Sequence, residues 1–124
     1  MKAIQTTLSA LTLSVSAAFA HHSSAMLDTS KTITLNGTVS EWHFSNPHSW
    51  LYVAVLDAEG KETIWKLEGG STSHMARNGW TFKTLKKGDK ISVAVNPRMD
   101  SEPSGQFKTV QTADGSTLAT MPRI

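Results

Sequence analysis

The residues best suited to chemistry in this sequence are histidines, and His21 and His22 stand side by side near its start. They directly follow Ala18-Phe19-Ala20, a small-x-small pattern that is typical of a signal-peptidase site. Cleavage after Ala20 would make His21 the first residue of the mature chain. Its free α-amine and its ring Nδ1 could then chelate one metal ion together.

A third nitrogen would complete a T-shaped copper site of the kind called a histidine brace. His48, in the stretch "HFSNPHS" at 43–49, is the preferred third ligand, and His43 is the substitute. His22 is a further donor, although it points away from His21 if the segment is extended. Nitrogen ligands in a tetragonal arrangement favour Cu(II). Binding displaces protons from an amine and from imidazoles, so affinity should weaken as the pH falls.

The metal interpretation has an alternative that the sequence leaves open. A chain terminus is often disordered, and its histidines are then merely solvated. His48 follows Pro47 and could instead hydrogen-bond to the backbone of its own loop. Any role for His74 is unsupported by a motif. Cu(II) is therefore expected as a cofactor only if the metal interpretation holds.

Aromatic residues around the same loop form a second candidate surface. Trp42 and Trp50 bracket the loop, and Asn46 lies within it. Indole rings stack on sugars or bases, so these three residues are candidates for binding a small molecule. Trp65 and Trp80 are instead expected to fill the core.

Conventional catalysis has little support in the sequence. No spacing identifies an acid–base pair among the available carboxylates, which are Glu41, Asp57, Glu59, Glu68 and Asp89. No nucleophile-elbow, phosphate-loop or His-Glu-x-x-His motif occurs. Glu68 is expected to cap a following helix or to pair with Arg77. The chain is therefore predicted to be a binding module for an unknown ligand and not an enzyme. Its predicted ligand surface is the 43–50 loop with Trp42 and Trp50, and a copper-binding protein that uses His21 with His48 is the alternative.

The first 20 residues have the features of a secretory signal peptide. Lys2 supplies the positive start, and the apolar run Leu8–Phe19 is interrupted by Thr and Ser. That run is shorter than the ~20 apolar residues that span a bilayer. We therefore expect cleavage, a single mature domain over residues 21–124, a periplasmic location and no membrane insertion after cleavage.

Charge and cysteine content narrow the partners and the chemistry. The chain has 12 basic and 10 acidic residues, and loss of Lys2 would leave a net charge of about +1. A nucleic-acid partner is not expected, because such proteins usually have a strong basic excess. The chain has no cysteine, which excludes disulfide, thiolate and iron–sulfur chemistry. The expected partner is a small molecule or a periplasmic protein.

The elements that must position these side chains are mostly strands. Met75–Asn78 is predicted to form a short helix, with an N-cap among Ser71–Ser73 and Gly79 at its end. Gly37 is expected to mark a bulge or a bend, and Pro97 to end a strand. Alternation of apolar and polar residues predicts five strands, which are Lys31–Trp42, Trp50–Leu56, Thr63–Leu67, Lys90–Val95 and Phe107–Thr112.

The order of these elements is β-β-β-α-β-β in about a hundred residues. That order predicts an all-β fold with one short helix, a small five-stranded OB-like Greek-key barrel. A β-sandwich is the alternative, although it usually needs about seven strands. The residues after Asp114-Gly115 are expected to form a short tail.

Several short motifs resemble an uncharacterised family of exported bacterial proteins, the domain of unknown function 6152 family. They are the His21-His22-Ser23 start, "NPH" at 46–48, "EGG" at 68–70, "RNGW" at 77–80 and "LKKGD" at 85–89. The resemblance extends over the whole expected mature chain. It implies export and a small β-barrel, and it implies no particular activity.

Overall fold

Six strands and one short helix make up the part of the chain that the structure, a computed structural model, describes, which is residues 26–120. No helix in this range is both long and apolar enough to cross a membrane. In chain order the elements are β1 (Ile33–His43), β2 (Trp50–Leu56), β3 (Glu62–Glu68), α1 (Thr72–Ala76), β4 (Lys90–Pro97), β5 (Ser104–Thr112) and β6 (Thr117–Ala119).

The first five strands close into a barrel. Their order around the sheet is β3-β2-β1-β4-β5, with antiparallel pairing between neighbours. A parallel pairing of β3 with β5, from Lys66↔Ser104 to Glu68↔Gln106, closes the ring. This closure confirms the five-stranded Greek-key barrel and excludes the two-sheet sandwich, and α1 lies between β3 and β4 in the chain as predicted.

The core lies inside the barrel and is built by the alternation that predicted the strands. Fully burying one large apolar side chain stabilises a fold by roughly 1.5–3 kcal/mol, so these residues dominate the stability. Leu51 and Val53 of β2 and Leu67 of β3 are completely inaccessible to solvent. The other buried apolar residues are Leu35, Val39, Met75, Trp80, Leu85, Ile91, Val93, Val95, Phe107 and Val110.

Trp80 packs in the core, as predicted. Its ring is 1% exposed and lies 5.4 Å from the ring of Trp42 and 5.7 Å from that of Phe107, centroid to centroid. The indole N–H donates to the carbonyl of Ala119 at 2.9 Å, so the buried polar atom is satisfied. Trp65 is half-buried and packs against the same core.

The tail predicted after Asp114-Gly115 is partly a strand. β6 pairs antiparallel with β5 over Thr109–Gln111. It has three residues, and alternation over so short a segment gives no usable signal. β5 also begins at Ser104, three residues before its predicted start, because its first residues pair with β3 and the apolar pattern does not report that pairing.

The prediction of a bulge at Gly37 was wrong. Gly37 pairs regularly with Ile91, and the irregularity in β1 lies between Val39 and Glu41. Glycine is needed at 37 for a different reason, since a Cβ there would clash with the carbonyl oxygen of Ala54. The position marks a close approach of two strand backbones.

The helix α1 begins three residues earlier than predicted, at Thr72, and ends at Ala76. Ser71 is its N-cap, as the sequence suggested, and its hydroxyl oxygen accepts the N–H of His74 at 3.2 Å. Gly79 follows with φ near +89°, a conformation that favours glycine. Pro97 ends β4 as expected.

Candidate functional site

The β1–β2 loop, residues 44–49, is held by its own polar groups. The backbone N–H of Ser45 donates to the hydroxyl of Ser49 at 3.3 Å, and the hydroxyl of Ser45 donates to the carbonyl of His48 at 2.8 Å. Ser49 is fully buried. These bonds fix the backbone on which His48 is presented.

The same loop is bonded to the segment that joins β3 to α1. The N–H of Gly69 donates to the carbonyl of Ser49, and the N–H of Ser49 donates to the carbonyl of Gly70, both at 2.8 Å. Asn46 Oδ1 accepts the backbone N–H of Thr72 at 2.9 Å and its hydroxyl at 3.0 Å. Asn46, a predicted ligand-binding residue, therefore joins the loop to the start of α1.

The imidazole of His48 is oriented by two acceptors. Its Nδ1 lies 3.1 Å from Oε1 of Glu68 and 3.3 Å from the carbonyl oxygen of Gly69. Because both neighbours can only accept, Nδ1 carries the hydrogen, and in the neutral ring Nε2 holds the free lone pair. The His48 side chain as a whole is 50% exposed.

Glu68 is therefore not the helix cap or the partner of Arg77 that the sequence suggested. The cap is Ser71, and the carboxylate of Glu68 points to the loop side, toward His48. The reason is the cross-strand pairing of Glu68 with Trp50, which brings Glu68 next to the end of the β1–β2 loop.

A cleft of about 330 Å³ opens beside His48, and we call it the His48 cleft. A Cβ on Gly69 would lie 2.7 Å from Cζ of Phe107, and one on Gly70 would lie 3.1 Å from Cδ2 of His74. The two glycines thus leave the space for the rings around the cleft. Its lining is Pro47, His48, Gly69, Gly70, Ser71, His74, Gln106, Phe107 and Thr120.

His74 is a cleft residue that sequence reasoning missed. It is the third residue of α1 and is half-buried. Within residues 26–120 its ring nitrogens make no hydrogen bond. The signal that could have found it is the N-cap, because Ser71 fixes the start of α1 and hence the position of residue 74.

A second cleft, of about 160 Å³, has Glu68 in its lining. We call it the Trp50 cleft, and the Nζ of Lys66 sits 4.5 Å above the Trp50 ring. Leu27, which pairs with Arg98, also lines it. Leu27 therefore brings the start of the described residues to this cleft.

Arg98, which also lines the Trp50 cleft, is hydrogen-bonded to the carboxylate of Asp100. This hydrogen-bonded ion pair lowers the pKa of the Asp100 carboxyl and raises the pKa of the Arg98 guanidinium.

Two other predicted site residues, His43 and Trp42, do not line the His48 cleft. His43 places Nε2 2.7 Å from Oε2 of Glu41, and its ring packs edge-on against Tyr52. Trp42 packs among the core aromatics, and its indole N–H donates to the carbonyl of Thr81 at 3.2 Å. His21 and His22 lie outside the described residues.

The described part of the barrel does not supply a complete metal site. Among residues 26–120, no three histidine, aspartate or glutamate side chains lie close enough together to hold an ion. The barrel brings His48 and His74 to one cleft and places Glu68 behind His48. Any metal bound there would need donors from elsewhere in the chain or from solvent.

A model of one protein family, described as "Family of unknown function (DUF6152)", matches residues 10–107. The match includes the β1–β2 loop, the end of β3 and α1, and so nearly all of the His48 cleft. No curated protein and no solved structure matches the chain significantly.

Proposed function

This chain belongs to the family of unknown function DUF6152, and we propose that it is an exported, periplasmic binding protein without catalytic activity. Its ligand site is the His48 cleft, and Cu(II) is the ligand that the donors fit best. The signal-peptide pattern of residues 1–20 supports export. The absence of a catalytic motif from the sequence favours binding over turnover.

One observation carries the proposal, and it is the hydrogen bonding of His48. Histidines that bind metals almost always donate their other ring N–H to a carboxylate or a backbone carbonyl. His48 has both partners, Glu68 at 3.1 Å and the carbonyl of Gly69 at 3.3 Å. The contact fixes the orientation and the tautomer of the ring, and it leaves the lone pair of Nε2 for an ion.

The remaining nitrogens would come from the mature N-terminus. Cleavage after Ala20 gives His21 a free amine beside its ring, and His22 adds one more imidazole. Leu27 lines the Trp50 cleft together with Glu68, whose carboxylate contacts His48. Six residue steps separate His21 from Leu27, and a chain of that length can span up to about 20 Å.

The donor set favours copper over other ions. Nitrogen ligands in a tetragonal arrangement suit Cu(II), which also stands at the top of the affinity series for divalent first-row metals. The chain has no cysteine, so it offers no thiolate that would favour zinc or an iron–sulfur cluster. An N-terminal amine with imidazoles is accordingly a copper-selective set.

Titration of Cu(II) against a competing chelator tests this proposal. The processed protein is compared with a version that carries one additional residue before His21, which converts the free amine to an amide. We expect the extension to weaken binding at least about tenfold, because it removes one ligand and the chelate ring. Equal binding by both versions, or binding by neither, contradicts the proposal. Mass spectrometry of the exported protein checks the cleavage position.

A second candidate ligand is an organic molecule seated in the Trp50 cleft. The observation that favours it is the placement of Trp50, an indole on the outer side of β2, under the ammonium of Lys66. In OB-type barrels this sheet face and its flanking loops bind sugars and nucleotides. Trp50→Ala separates the candidates, because Cu(II) affinity is expected to be unchanged in this variant if copper binds in the His48 cleft.

A further inference from the structure

We propose that the segment between α1 and β4 is a docking site for the surface of an anionic lipid membrane. The site consists of Phe82 with four lysines, and we call it the Phe82 patch; the lysines are Lys83, Lys86, Lys87 and Lys90. This inference is independent of the copper proposal, because none of these residues lines the His48 cleft. It concerns adsorption at the lipid headgroups and needs no segment that spans the bilayer.

The first support is the exposure of Phe82. It is 70% exposed, more than any other large apolar residue of the described range, although Trp80 two positions earlier is buried. The ammonium group of Lys83 lies 5.5 Å from the centre of the Phe82 ring. Segments that bind at a membrane surface combine such groups, because the ring enters the boundary between headgroups and acyl chains while the lysines stay in water.

The second support is that two hydrogen-bonded turns hold the patch in place. In the first turn the backbone N–H of Thr81 donates to the hydroxyl of Thr84 at 2.7 Å. In the second turn the N–H of Asp89 donates to the carbonyl of Lys86 at 3.1 Å. Leu85 lies between the two turns and is buried in the core. The exposed side chains are therefore presented on a fixed backbone, which lowers the entropic cost of docking.

The third support is the charge of the segment. Residues 81–90 contain four lysines and one acidic residue, Asp89, and so carry a net charge of +3, whereas the whole chain carries +2. One carboxylate oxygen of Asp89 accepts the N–H of Lys86 at 3.0 Å, and the other lies 3.5 Å from Nζ of Lys86. Asp114, which lines a surface hollow together with Asp89 and Lys90, accepts hydrogen bonds within its own turn. The excess positive charge of the chain is therefore concentrated at the Phe82 patch.

These features fit an anionic membrane better than an acidic polymer in solution. Proteins that bind nucleic acid usually have a strong basic excess over the whole domain, and this chain does not. Each lysine near an anionic lipid surface strengthens binding about fivefold. The exposed ring of Phe82 additionally needs an apolar phase next to the negative charges, and the headgroup boundary supplies both.

Co-sedimentation of the processed protein with lipid vesicles tests the proposal. The probe is vesicles of phosphatidylcholine and phosphatidylglycerol in equal parts, and vesicles of phosphatidylcholine alone are the neutral control. Phe82→Ala and Lys87→Gln should each weaken binding to the anionic vesicles about fivefold. Met99→Ala and Lys31→Gln are the matched controls and should bind as wild type does. They change a 63% exposed apolar residue and an exposed lysine, which line one hollow at the opposite end of β4 from Lys90.

Binding to the anionic vesicles alone, with losses in Phe82→Ala and Lys87→Gln but not in the two controls, supports the proposal. Binding to neither kind of vesicle, equal binding to both, or similar losses in the controls overturns it. A loss in Lys87→Gln without one in Phe82→Ala also overturns it, because the patch would then attract any polyanion. Phe82→Gln, which removes the ring but keeps a long side chain, covers the case in which the alanine variant does not fold.

Discussion

Asn46 accepts two hydrogen bonds from Thr72, at 2.9 and 3.0 Å, and so joins the loop that carries His48 to the helix that carries His74. The bonds connect residues 26 positions apart, and the chain neighbours Pro47 and Ser71 line the His48 cleft. An asparagine that the sequence offers as a ligand contact thus has a structural role, since its side-chain oxygen is already engaged.

Replacing Asn46 with alanine should therefore destabilise the protein. Loss of the two hydrogen bonds should lower the free energy of unfolding by about 1–2 kcal/mol, measured by urea denaturation. Asn46→Asp keeps an acceptor oxygen and should stay close to wild type. An alanine variant with an unchanged denaturation midpoint would show that the bond does not hold the loop.

Glu68 should control metal affinity without binding the metal itself. Glu68→Gln removes the carboxylate charge behind Nδ1 of His48, and loss of such a partner typically costs about 10–100-fold in metal affinity. The measurement is a Cu(II) competition titration. Glu62→Gln, at the exposed start of the same strand, is the matched control and should bind as wild type does. Equal affinities in both variants would contradict the role given to Glu68.

Trp80 should be essential for the stability of the barrel end. Trp80→Phe removes the hydrogen bond to Ala119 and leaves a cavity, at an expected cost of about 2–3 kcal/mol. Phe82→Leu changes a nearby aromatic ring that is 70% exposed, and it should alter stability by less than about 0.5 kcal/mol. Thermal denaturation followed by circular dichroism compares the two. Similar losses in both variants would mean that Trp80 does not anchor β6.

Acid should weaken the β5–β6 turn through Asp114. The hydrogen bond from the hydroxyl of Thr112, with further bonds from Ser116, lowers the pKa of the Asp114 carboxyl. A lowered folded-state pKa gives stability that is present above the unfolded-state pKa of about 3.9 and is lost as the pH falls through the folded-state value. Asp114→Asn should thus lose less stability than wild type between about pH 5 and pH 2.

Thr112→Val is the companion to that variant, because it removes the main cause of the shift and keeps the carboxyl. Its loss of stability at acid pH should lie between that of wild type and that of Asp114→Asn. The measurement is the free energy of unfolding in urea at a series of pH values. If the free energy of unfolding changed with pH in the same way in all three proteins, Asp114 would not contribute to the acid sensitivity.

The barrel was predictable because apolar and polar residues alternate along most of its five strands. Leu51 and Val53 are buried in β2, and the same period-two pattern indicated the other four barrel strands and their order in the chain. What periodicity could not report is pairing between distant strands. The parallel pairing of Ser104 with Lys66 and the short β6 both depend on the closed barrel and have no local signal.

The candidate site was predictable only in part, for the same reason. The position of His48 beside the turn-forming Asn46-Pro47 pair made it the preferred third ligand, and the structure shows its side chain 50% exposed. Its partner Glu68 and its neighbour His74 are distant in sequence, and only the pairing of β2 with β3 and the cap at Ser71 bring them near. Trp42 illustrates the opposite case, because its position next to the loop gave no sign that the ring turns into the core.

The most direct test of the account is to compare Cu(II) binding by His48→Ala and His43→Ala in the processed protein. The two variants each remove one imidazole that contacts a carboxylate, but only His48 lines the cleft. The account predicts that His48→Ala weakens Cu(II) binding by at least about tenfold and that His43→Ala binds as wild type does. Wild-type affinity in His48→Ala, or loss of binding only in His43→Ala, would contradict it.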